Sequence, residues 1–231
     1  MKNYIEQRNH QLDKHRISNE IAILKSKYYE KDPFDDIIVD KDRMFSKVAG
    51  SVPSHFLEYI DTILVGHFDF LDERDLDAMY KHGSRYISSK NKETEMDIVD
   101  DIIHEIAHAV EENNLIDIYG DEQIESEFVG KRRRLFFLLK ENGFKSEVEF
   151  YDFEKVEYEE QFDIFLYQEV SYPLMQNLTS GLFCSPYGAT SLREYFANCF
   201  EHYFFERADN EVRKISPQVY TKIRELLKNE I

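Results

Sequence analysis

His104, Glu105 and His108 are the residues of this chain whose types and spacing best suit chemistry. They stand in Asp97-Ile98-Val99-Asp100-Asp101-Ile102-Ile103-His104-Glu105-Ile106-Ala107-His108-Ala109-Val110. Val99, Ile102, Ile103, Ile106 and Val110 recur at helical spacing, which predicts a helix with one buried stripe. On that helix His104 and His108 project from the same face. Two imidazoles so placed can grip one zinc ion, with Glu105 beside them to take a proton from an activated water. The chemistry such a set supports is hydrolysis. An apolar stripe, an acidic helix start and further carboxylates downstream favour this reading over two surface histidines on an ordinary core helix.

A catalytic zinc takes three protein ligands and keeps an open position. Glu125 and Glu127 follow His108 at roughly the spacing of a thermolysin-type glutamate. Glu194 lies much further on, in Ser191-Leu192-Arg193-Glu194-Tyr195-Phe196-Ala197-Asn198-Cys199-Phe200. Spacing alone does not choose between them. Glu111, Glu112 and Asp101 are candidates to hydrogen-bond the outer nitrogens of the ligand histidines, as zinc sites commonly require.

The run His104-Glu105-Ile106-Ala107-His108-Ala109-Val110-Glu111-Glu112 resembles the zinc site of the anthrax lethal factor type of peptidase, a gluzincin. The later Tyr187-Gly188, a short spacer, then Glu194-Tyr195-Phe196-Ala197 is similar to that family's second signature. The resemblance implies a zincin-like fold and one Zn2+ per chain held by His104, His108 and Glu194. Glu105 would be the general base, and Tyr187 would lie over the metal and stabilise the oxyanion or leaving group. Asn198 departs from the family pattern, which carries a further glutamate there. The close likeness covers only these two segments, and the large accessory domains of the toxin are missing. The stretch from about Val52 to Glu206 also resembles small metallopeptidase-like proteins of bacteriophages.

The elements that must position these residues are legible in part. Tyr59 to Gly66 is rich in branched residues and predicts a strand, as does Gly83 to Ser89. The latter, near Tyr86 to Ser89, is expected to be the sheet edge beside the metal helix, able to pair with an extended substrate. Between them, Leu71 to Lys81 predicts a short helix or turn. Thr94 or Asp97 can cap the central helix. Tyr4 to Tyr29 predicts amphipathic helices. Asp121 to Glu141 predicts a helix in which Lys131-Arg132-Arg133-Arg134 pairs with neighbouring acids. Residues Ser171 to Tyr187 predict mostly loop, Ser191 to about Arg207 a long helix, and Ser216-Pro217 the start of a last one. The sum is an α+β fold, mostly helical with a small mixed sheet beside the active-site helix. A helical lead over 1–50 precedes the metallopeptidase-like domain over 51–231.

The formal charge is −17, from 29 basic and 46 acidic side chains. Such a balance repels nucleic acid and favours a protein or peptide substrate, basic ones included. Cys184 and Cys199 are the two cysteines, and they make no disulfide framework. With no signal peptide and no apolar run of spanning length, the reading is a cytoplasmic protein, phage-encoded by its likeness, with no membrane partner. Two functions follow: a zinc-dependent endopeptidase, or a non-catalytic zincin fold used as an interaction or structural protein in a phage or host-takeover system.

Overall fold

Branched and aromatic residues in short runs build one sheet, and longer apolar periodicities build the helices around it. The computed structural model describes residues 18–21, 26–32, 40–73, 76–81, 83, 85–89, 94–144, 149–205 and 207–228. Two compact units divide the chain, 1–110 and 111–231. The architecture is α+β, mostly helical, with one small mixed sheet.

The first unit holds the strands β1 (Ser18–Ile21), β2 (Ser26–Glu30), β3 (Thr62–Val65), β4 (Ala78–Lys81) and β5 (Tyr86–Ser89). Their order is β1-β2-β3-β5-β4. β2, β3 and β5 run parallel, and β1 and β4 are antiparallel to their neighbours. Helix α1 (Lys41–Ser51) buries Met44, Phe45 and Val48. The short helices α2 (Ser54–Leu57) and α3 (Asp69–Asp72) complete the connections. Then comes the central helix α4 (Glu95–Asn113), which continues past the division between the units.

β3 and β5 bear out the two strands read from the sequence. The edge assignment is corrected, however. β5 is paired on both sides, with β3 and with β4, so β4 ends the sheet among the described residues. β4 itself falls where a helix or turn was expected. Leu76, Met79 and Tyr80 mimic helical spacing, but four residues are too few to fix a period, and cross-strand pairing decides. Tyr80 stands opposite Ile87, and both are buried. β1 and β2 likewise replace the helices expected up to Tyr29. The earlier part of that expectation, residues 4–17, lies outside the described residues.

The second unit is helical. It comprises α5 (Leu115–Tyr119), α6 (Gln123–Glu141), a 3-10 turn Phe150–Glu154, α7 (Glu160–Ile164), a π-helical stretch Phe165–Val170 and α8 (Tyr172–Leu178). A 3-10 turn Tyr187–Ala189 precedes α9 (Leu192–Phe204), α10 (Asp209–Ile215) and α11 (Pro217–Leu226). α8 takes the first part of the stretch 171–187, expected to be mostly loop, and the remainder up to the 3-10 turn at Tyr187 is turn and bend. A proline in the first turn of α8 is compatible with helix, because that N–H has no intrahelical partner there.

The basic run on α6 departs from expectation most. Arg133 pairs with Glu154 at 2.6 Å, as an exposed base should. Lys131 and Arg132 instead turn inward, 9% and 1% exposed. Arg132 donates to the backbone oxygens of Asp152 (2.7 Å), Lys155 (2.9 Å) and Thr190 (3.3 Å), and its guanidinium lies 3.9 Å from the Phe162 ring centroid. Lys131 donates to the Leu182 oxygen and Ser216 Oγ at 2.8 and 3.1 Å, and also to the Ile215 oxygen. The helix ladder satisfies its own carbonyls. These cations satisfy those of the loops.

Among the described residues no helix is long and apolar enough to cross a membrane.

Candidate metal centre

α4 is fixed at its start and along its length before it presents any chemistry. Thr94 Oγ1 accepts the Asp97 N–H at 3.3 Å and donates to its carboxylate at 2.7 Å, the cap the sequence suggested. Glu95 is 8% exposed and takes Arg43 Nε at 2.9 Å, joining α4 to α1. Ile98, Val99, Ile102, Ile103, Ile106 and Val110 are fully buried. Each contributes about 1.5–3 kcal/mol by leaving water. The expected stripe is therefore present, and it sets the rotation of the helix.

That rotation places His104 and His108 side by side, with ring centroids 5.2 Å apart. Glu105, 8% exposed, turns toward the sheet, where a carboxylate oxygen accepts the Tyr80 backbone N–H of β4. The general-base candidate is thus moored to the last strand of the sheet.

Glu194 owes its position to a cap as well. Ser191 Oγ accepts the Glu194 N–H at 3.2 Å and starts α9, so the carboxylate lies in the first turn, where the helix dipole favours negative charge. His104, His108 and Glu194 each offer a ligand atom within 4.8 Å of the others. Two imidazoles and a carboxylate are also the donor chemistry of hydrolytic zinc sites. By donor type, the set suits a zinc ion.

The other glutamates do not join this group. Glu127 accepts Tyr195 Oη at 2.7 Å and the Gln218 N–H at 3.1 Å, and Glu125 is exposed. Glu111 is 1% exposed and accepts Tyr119 Oη at 2.7 Å and Arg193 Nε at 2.8 Å. It therefore ties the end of α4 to the residue preceding Glu194. Glu112 is half-buried. Arg193 and Tyr119 went unnoticed in the sequence. The one available signal was a base adjoining a candidate ligand.

Tyr187 stands in the 3-10 turn before α9, half-buried. Burial pushes its hydroxyl well above the ordinary tyrosine range, and the carboxylates of Glu194 and Asp163 add to this. It stays a protonated donor at neutral pH. The glycine after it has a steric cause: a Cβ on Gly188 would meet Asn198 Oδ1 at 3.0 Å. The same oxygen accepts the Ser185 N–H at 2.9 Å. Asn198 therefore holds the Tyr187 turn against α9.

Several tyrosines share this protonated state. Burial raises Tyr28, Tyr119 and Tyr172, helped by Glu30, Glu111 and Asp163 respectively. A raised folded-state pKa contributes stability that is present below the ordinary value of 10.0 and lost as pH climbs above it. The urea midpoint is expected to fall as pH is taken through that value, with Tyr28, Tyr119 and Tyr172, followed singly by their ring resonances, ionising only on unfolding. Ionisation of these three in the folded chain at the ordinary pH would contradict this.

No family model, curated protein or solved structure matches the chain.

Proposed function

We propose that the chain is a zinc-dependent endopeptidase of zincin-like fold, with His104, His108 and Glu194 as metal ligands. The observation that carries this is the convergence of those three donors from two separately capped helices. Zinc, when bound, lowers the pKa of a water toward about 7 and polarises a scissile carbonyl. Glu105 takes the water proton and delivers it to the leaving amine. The Tyr80 N–H steadies the Glu105 carboxylate during that exchange. Tyr187 donates to the developing oxyanion, and Glu111 holds Arg193 so that the first turn of α9 keeps its place. The −17 charge favours basic peptide substrates.

The test is zinc content of wild type and Glu194→Ala, both purified without chelator or added metal. Near one zinc per wild-type chain, with most of it lost in the variant, is the expected result. Zinc retained by Glu194→Ala would remove Glu194 from the ligand set. Zinc absent from both would favour a non-catalytic interaction protein.

A further inference from the structure

The two cysteines, which make no disulfide framework by their number, meet in the second unit. Cys184 Sγ lies 3.6 Å from Cys199 Sγ, a thiol–thiol contact between residues 15 positions apart. Both are free thiols, Cys184 half-buried and Cys199 fully buried on α9. The backbone around them is held as well: Ser185 N–H binds Asn198 Oδ1 at 2.9 Å, and Gly188 abuts the same side chain. The segment bearing Cys184 therefore cannot swing away from α9 without breaking adjacent contacts. A buried cation stands with the pair. Burial pushes the Cys199 thiol well up and the Lys131 cation only partly opposes this, while its ammonium is anchored on the Leu182 oxygen and Ser216 Oγ. Two thiols in contact, one reachable and one buried, make the arrangement of an attacking and a resolving cysteine.

We infer that Cys184 and Cys199 are a thiol–disulfide exchange site that closes on reaction with a low-molecular-weight disulfide. Cys184, as thiolate, attacks one sulfur of the small disulfide. A mixed disulfide forms and one small thiolate leaves. Cys199 then attacks the Cys184 sulfur, its thiol proton passing to the departing small thiolate as the internal bond forms. Two electrons pass from the protein sulfurs to the small disulfide, and the two protein protons end on the two small thiols. The closed ring encloses Tyr187, Arg193 and Glu194, so oxidation would fasten the Tyr187 turn to the helix that carries Glu194. The inference stands apart from the metal reading, because thiol counting needs no zinc and no substrate.

The experiment is incubation of the reduced full chain with oxidised glutathione, followed by denaturation, alkylation and intact mass. The expected product is monomeric, two hydrogens lighter than the reduced chain, unalkylated, and restored by a thiol reductant. Its digest should contain one linked peptide pair carrying Cys184 and Cys199. Cys199→Ser should stop at a stable single glutathione adduct on Cys184, and Cys184→Ser should lose most of the reaction. Two alkylated thiols after incubation, a lasting adduct on the wild type, or a dimer linked between chains would each overturn the assignment.

Discussion

Glu105→Gln is expected to keep its zinc and lose peptide hydrolysis by about 10²–10⁴-fold, the range of a missing general base. The substitution is nearly isosteric. Its amide oxygen can still accept the Tyr80 N–H, so the mooring of α4 to β4 survives. What it cannot do is take a proton from water. Zinc content and turnover of one peptide that the wild type cleaves, measured on the same preparations, check the prediction. A metal-loaded Glu105→Gln chain that cleaves at near-normal rate would remove Glu105 from the reaction. Tyr187 and Glu194 would then need another base between them.

Arg132→Ala is expected to destabilise the second unit by about 3 kcal/mol, through lost hydrogen bonds and a cavity. The guanidinium supplies three carbonyls on two different segments, the 3-10 turn region and Thr190 just before α9. Removing it leaves those oxygens short of a partner and the Phe162 face uncovered. Burial already pushes the group down to about 10, so it is still charged at neutral pH and its removal also relieves some desolvation. That relief keeps the expected loss below the sum of its contacts. Arg132→Lys should recover little, since one ammonium cannot reach three carbonyls in a fixed fork. Urea unfolding of the variants reads this. A change under about 0.5 kcal/mol, typical of a surface site, would show that the carbonyls find other donors.

What the sequence revealed followed the reach of its patterns. The α4 stripe, its Thr94 cap and the His104–His108 pairing were legible because all of them repeat within a few residues on one helix. β3 and β5 were legible from branched runs. β1, β2 and β4 were not, since short strands are decided by the partner they meet rather than by their own residues. Lys131 and Arg132 read as bases paired with neighbouring acids because nothing local distinguishes a base that will bind loop carbonyls from one that will meet a carboxylate. Glu194 could be singled out only through resemblance. The Glu111–Arg193 pair and the Cys184–Cys199 contact needed the packed unit, because no spacing rule joins them.

Lys131 has a consequence for how the second unit opens. Its acceptors lie 51, 84 and 85 positions along the chain, at Leu182, Ile215 and Ser216. A single ammonium thus closes two long loops at once, and neither closure can form until α6 is in place. Contacts of such sequence separation are gained late and lost together. Amide protons around Leu182 and at the start of α11 should therefore exchange as one cooperative group, with a common opening free energy, even though they sit on separate elements.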